Sequence, residues 1–123
     1  MSTAAMGALA TLADWCSSLA WRGVPEAQRA LVPLRVLDTL GLVAAGAGTE
    51  AAQAATGLAL AQGGVPAAAL FTAPGRLPAP SCALVHGVAA HCRDFDDTFP
   101  ESVVHPGSVV VSAALAAGEA AGA

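Results

Sequence analysis

One hundred and twenty-three residues suffice for one hydrophobic core and leave little for a second. Nine acids stand against five arginines and no lysine, a net charge of −4, and the arginines (Arg22, Arg29, Arg35, Arg76, Arg93) are scattered, which excludes a basic nucleic-acid face. Only 11% of residues are charged while 55% are hydrophobic, so the surfaces read as made to be covered.

A membrane-spanning helix needs about 20 apolar residues in a row. The run from Leu31 to Gly48 carries Pro33, Arg35 and Asp38, and that from Ala51 to Phe71 is broken by Gln53, Gln62, Gly63 and Gly64, so no membrane segment is expected. Asp14 stands where a signal peptide would be apolar, and the expected location is the cytoplasm. Cys16, Cys82 and Cys92 lack C-x-x-C spacing and read as reduced, mostly buried thiols.

In chain order, residues 4 to 20 place Met6, Leu9, Ala13, Cys16 and Ala20 at helical spacing, widened by Leu12, Trp15 and Leu19. Gly23 ends this helix, and Pro25-Glu26 opens the next, where proline lacks only a donor that would be unpaired anyway. The pattern runs through Leu31, Leu34, Leu37 and Leu42 to the glycines at 46 and 48, with a kink or break expected at Pro33. Thr49 reads as the cap of a third helix that stops at Gly63-Gly64. Residues 69 to 72 could form one short strand before the Pro74-Gly75 turn. Pro80 is expected at the first position of a helix extending to about Arg93, and Gly107 or Ser108 begins the last helix. The fold class expected is all-α.

Six of the twelve acids and histidines (nine acids plus three histidines) fall between residues 91 and 106: His91, Asp94, Asp96, Asp97, Glu101 and His105. If the fourth helix continues to Thr98, then His91, Asp94 and Thr98 share a face with Asp97 beside them, while Asp96 lies about 200° from Asp94 and points away or into a local backbone hydrogen-bond network. That face would combine a proton carrier, carboxylates and a hydroxyl, the groups needed for proton transfer beside a substrate carboxylate. Acids are unfavourable at a helix C-terminus, so their placement there needs a reason other than capping. His105-Pro106-Gly107 would present a histidine at the start of the last helix, within reach of a carboxylate. A plain turn histidine and a solvated acidic loop are the bland alternatives. His86, off the shared face, reads as structural.

Two other motifs compete. Asp94-x-Asp96-x-Thr98 matches the D-x-D-x-T signature of haloacid-dehalogenase-like phosphotransferases, but that signature ends a hydrophobic strand, and Val88 to Arg93 is Ala-rich and helical. A calcium loop fails because Phe99 occupies the turn-glycine position and His105 that of the bidentate glutamate. His91, Asp94 and His105 also have the residue types of a transition-metal site.

Three segments in order resemble one family. Leu37-Asp38-Thr39-Leu40-Gly41 with Ala45-Gly46 is similar to the LDTLG-x-x-x-AG segment of MmgE/PrpD proteins, Ala90-His91 with Asp94-Phe95-Asp96-Asp97-Thr98 to their AH-x-x-DFDDT segment, and His105-Pro106-Gly107-Ser108-Val109-Val110-Val111 to their HP-S-x-V-x-P run. The resemblance covers residues 8 to 123, the first part of a typical member. It implies a helical domain followed by a smaller lid domain, usually in homodimers, without metal or organic cofactor. It also implies dehydration, decarboxylation or epimerisation of small polycarboxylic acids, as by 2-methylcitrate dehydratase, cis-aconitate decarboxylase and iminodisuccinate epimerase.

By that resemblance Asp94, His105 and Thr98 are candidate catalytic residues, and His91 and Asp97 candidate substrate-binding residues. The sequence departs from the family at His86, commonly Asn, and at Pro33, and the dehydratases read D-Y-N-D-T where this chain has Asp96 in third place. The family's downstream lysines and lid are not represented, so residues 1–123 are expected to form a partial N-terminal helical domain with an incomplete catalytic set. The alternative expectation is a non-catalytic remnant or helical interaction module.

Overall fold

Small residues set the geometry of the fold by letting helices approach closely. The computed structural model describes residues 3–123, with side chains from residue 7 onward. It contains five α-helices among the described residues: α1 (Thr3–Ser18), α2 (Glu26–Gly46), α3 (Glu50–Gln62), α4 (Ala79–His91) and α5 (Pro106–Ala121). A two-residue hairpin, β1 (Ala68–Ala69) antiparallel to β2 (Arg76–Leu77), lies between α3 and α4. The all-α expectation holds apart from this ribbon. Its second strand was not expected, because Ala68, Ala69 and Arg76 have little β-propensity. No parallel sheet leads into Asp94, which removes the phosphotransferase reading. Among the described residues no single helix is long and apolar enough to cross a membrane.

The chain divides into two units, Met1–Val32 and Pro33–Ala123. In the first, α1 ends at Ser18, and a single 3-10 turn over Trp21–Gly23 closes with the Gly23 N–H on the Ala20 carbonyl. Leu9, Leu12, Trp15 and Leu19 form the expected stripe, yet all four are exposed. Cys16 is exposed as well, unlike the buried Cys82 and half-buried Cys92. The side chain of Met6 lies outside the described residues. Of the kink or break expected at Pro33, the break does not occur. One helix of 21 residues passes through it, losing the hydrogen bond that a residue-33 N–H would have made.

In the second unit, Thr39, Val43 and Gly46 form the buried face of α2, at the i, i+4, i+7 spacing of one helical stripe. Val43 packs with Ala52, Ala89 and Ala90. Gly46 meets α4 so closely that an added Cβ would lie 1.9 Å from the Ala89 carbonyl oxygen. Thr49 caps α3 as expected, accepting from the Ala52 N–H at 3.3 Å. A second cluster joins Ala59 of α3, Ala68, Leu70 and Leu77 of the ribbon, Cys82 and Val85 of α4, and Ala116 of α5.

The α4–α5 pair positions the candidate site. Ser108, Ser112 and Ala116 recur every fourth residue as the buried stripe of α5. A Cβ on Gly87 would lie 3.2 Å from the Ser108 carbonyl oxygen, while Ala116 clusters with Cys82 and Val85, so the two helices run antiparallel. The C-terminal His91 of α4 therefore meets the N-terminal end of α5. His86 is buried and stacks on Phe71 with ring centroids 4.3 Å apart, and its Nε2 accepts the Phe71 N–H at 3.0 Å. Its Nδ1 has no protein partner among the described residues.

Two outcomes follow from this packing. Gly46→Ala should cost about 1–3 kcal/mol or more in urea unfolding, because backbone stands where the methyl would go. Gly41→Ala, mid-helix with open space around it, should be neutral or slightly stabilising. Equal effects at the two positions would contradict the close α2–α4 approach. Burial, partly offset by the nearby Glu119 carboxylate, holds the His86 imidazole below its ordinary value. The unfolded chain then takes up a proton that the folded chain refuses, so stability falls as pH drops below about 6.5. Unfolding of His86→Gln at pH 7.5 and about 5.5 should show a shallower fall than the parent protein.

Candidate active site

The site lies where α4 ends and α5 begins. α4 stops at His91, three residues before the first acid of the cluster, rather than continuing to Thr98. The Asp94 N–H bonds back to the His91 carbonyl at 2.8 Å, and Asp94 takes a left-handed conformation with φ of 56°. Aspartate tolerates that region better than most residues. This turn overturns the helical projection. Asp94 is thrown outward, its side chain 81% exposed, and Asp96 turns in, its side chain 1% exposed. Phe95 between them is exposed, an inversion of the usual hydrophobic order that marks Asp96 as the anchored residue.

The chain then reverses. Phe99 and Val104 form an isolated antiparallel bridge, with the Phe99 N–H on the Val104 carbonyl at 2.8 Å. Val103 adopts φ of 52°, strained for a β-branched residue. This tight loop returns His105 to the cluster. His105 Nδ1 lies 3.4 Å from both Asp96 Oδ1 and Thr98 Oγ1, and its Nε2 lies 3.7 Å from Asp94 Oδ1. His91 Nδ1 lies 3.0 Å from each oxygen of Asp96, and the two imidazoles are 4.9 Å apart, tilted by 58°.

Asp96 thus sits between both histidines instead of pointing away. Burial by itself would raise its carboxyl, but hydrogen bonds from Ser108, from His91 and from its own backbone N–H outweigh burial, and the carboxyl is held below its ordinary range. The Ser108 hydroxyl also lies 3.2 Å from the His105 carbonyl and serves one acceptor at a time.

Asp97 is used differently. Its Oδ1 accepts the Gly107 N–H at 2.8 Å, the work an N-cap side chain would do, since the His105 side chain makes no cap bond. Arg35 approaches its Oδ2 at 3.7 Å, and Thr39 stands close to Gly107 on the α2 side. A substrate at Asp97 would have to displace the Gly107 N–H.

Of the predicted residues, the structure brings His91, Asp94, Thr98 and His105 together and adds Asp96 and Ser108, which sequence reasoning missed. An open depression of about 460 Å³ adjoins the cluster. His91 and His105 line it with Val103, Val104, Ser108 and the outer face of α5, whereas Asp94 and Thr98 do not. One ligand atom from each of His91, Asp94, Asp96 and His105 lies within 4.8 Å of the others, and these residue types can hold a divalent ion. The His91–Asp96 spacing is nonetheless that of an imidazole–carboxylate hydrogen bond, and the two nitrogens of His105 face different carboxylates.

Asp97→Ala should lower stability by about 1 kcal/mol by leaving the first turn of α5 uncapped. Arg35→Ala, which breaks only an exposed ion pair, should cost less than about 0.5 kcal/mol. Thermal unfolding of both variants checks the order; a larger loss at Arg35 would contradict the capping role.

Comparison with curated proteins and comparison with solved structures each give no match. Residues 10–123 match the MmgE/PrpD N-terminal domain. With all three motifs inside that span and its helices built as described, the chain belongs to the MmgE/PrpD family of dehydratase- and decarboxylase-type enzymes.

Proposed function

We propose that this chain supplies the proton-transfer segment of a lyase or isomerase acting on small polycarboxylic acids, by dehydration, decarboxylation or epimerisation. The observation that carries this reading is His105: a half-buried imidazole, anchored through Nδ1, that opens onto the depression and has Nε2 near the exposed Asp94 carboxylate. A base that removes a proton beside a carboxylate needs an unblocked nitrogen and a neighbour that steadies the imidazolium formed. His105 is that base, Asp94 the neighbour and second acid/base group, and Thr98 the hydroxyl that orients the ring. His91 lines the substrate side, and Asp97 acts through α5.

Substrate retention calls for further groups. A di- or tricarboxylate set against Asp94, Asp96 and Asp97 needs positive charge, and the described residues that line the depression include no arginine. That charge comes from another segment or subunit, and the exposed Leu34, Leu37, Leu58 and Leu84 offer apolar surface for such a neighbour. The same exposed faces favour the second reading, a helical module that binds a partner without catalysis.

The purified chain alone should not turn over citrate-like acids. In an active assembly containing it, Asp94→Ala or His105→Ala should lower turnover by about 10² or more. Replacement of the exposed Glu101 should change little. Full turnover with His105→Ala would refute the catalytic reading and leave the interaction module.

A further inference from the structure

We propose that Asp96 is the positioning residue of this site: its buried carboxylate accepts a hydrogen bond from His91 Nδ1 and stands 3.4 Å from His105 Nδ1, which favours the Nδ1–H tautomer in both rings and leaves His105 Nε2 as the nitrogen that exchanges a proton. The last step rests on the function proposed above; the tautomer assignment does not.

An ionised carboxylate has lone pairs and no proton, so any ring nitrogen held against it must carry the hydrogen. His91 Nδ1 stands 3.0 Å from both Asp96 oxygens, and His105 Nδ1 stands 3.4 Å from Oδ1. Thr98 supports the same polarity. Its hydroxyl is placed to donate to the Asp96 carbonyl at 3.4 Å, which turns an oxygen lone pair towards His105 Nδ1, also at 3.4 Å. Both groups around that nitrogen are then acceptors. The tautomer that satisfies them is Nδ1–H, and the lone pair goes to Nε2.

Asp96 can impose this choice because it cannot turn away. Its side chain is 1% exposed, enclosed under Ser108 in the first turn of α5, while His91 is about half exposed and His105 one-fifth exposed. The fixed member of the cluster is thus the carboxylate, and the rings orient to it. When His105 takes a proton at Nε2, the imidazolium gains a second N–H, which the Asp94 oxygen at 3.7 Å can meet, while Nδ1 stays on Asp96. The proton taken from substrate is held on His105 Nε2 until it is passed on, and Asp96, beside Nδ1 throughout, does not change its proton count.

Asp96→Asn tests this in the 123-residue chain. An amide of the same size puts a donor nitrogen in place of one of the two oxygens that His91 Nδ1 faces, so an Nδ1–H there would meet a donor. Nitrogen-15 NMR of the ring nitrogens at a pH where the rings are neutral reads the tautomers directly. The parent chain should show His91 and His105 chiefly as Nδ1–H, and Asp96→Asn should shift at least one of them towards Nε2–H. His86, whose Nε2 accepts from Phe71, should stay Nδ1–H in both and reports that the fold is intact. Should Asp96→Asn fail to fold, the parent spectrum still decides. An Nε2–H tautomer at His105 in the parent chain, or unchanged tautomers in a folded Asp96→Asn variant, would overturn the proposal. Loss of the catalytic reading, by contrast, would show as full turnover in His105→Ala with the tautomers as assigned.

Discussion

The approach of α4 to α5 through small side chains is the constraint on which the site depends. With Gly87 against the Ser108 backbone and Ser112 and Ala116 continuing the seam, the helices lie closer than leucine-sized residues would permit. Because they run antiparallel, the last residue of one and the cap position of the other face each other across the seam. His91 and His105, 14 positions apart in sequence, become neighbours for that reason. The scarcity of large core residues follows from the same constraint: the buried set is mostly alanine with a few valines and leucines.

The family motifs separate into packing and chemistry once placed in the fold. In the Leu37–Gly46 segment, Thr39, Val43 and Gly46 turn inward, and Gly46 is there because a methyl group would strike the α4 backbone. Thr39, with its hydroxyl on the Arg35 carbonyl, stands against Gly107 at the start of α5. That motif therefore holds α2 to the two helices that carry the site and contributes no reactive group. The 91–98 segment carries the clustered histidine and carboxylates and relies on the first motif for its position.

Much of the helical framework was legible because its signals are local. The Thr49 cap, the glycine stop at Gly63 and Pro80 in the first turn of α4 each act within one turn of the helix they bound. The ribbon was legible only in part, since one arm is alanine and the other contains Arg76, whose guanidinium reaches the Ala67 carbonyl. In the site, the clustering of acids and histidines was visible in the order of residues, and the inward turn of Asp96 was not. That turn depends on one backbone torsion at Asp94, which no periodicity reports, and on an acceptor demand from two rings that only the folded chain brings together.

The acidic run after α4 posed an electrostatic difficulty as long as it was assigned to that helix, whose C-terminal end is the negative pole. The fold resolves it by reassigning the acids. Because the loop from Phe99 to Val104 closes on itself, Asp96 and Asp97 are carried to the positive end of α5, where Asp97 accepts the Gly107 N–H and Asp96 lies against Ser108. The helix that follows, not the one that precedes, stabilises these charges. Only Asp94 remains outside this arrangement, exposed and facing His105 Nε2. The three aspartates thus divide into one that caps a helix, one that is buried against His91 and one that is left exposed beside His105 Nε2.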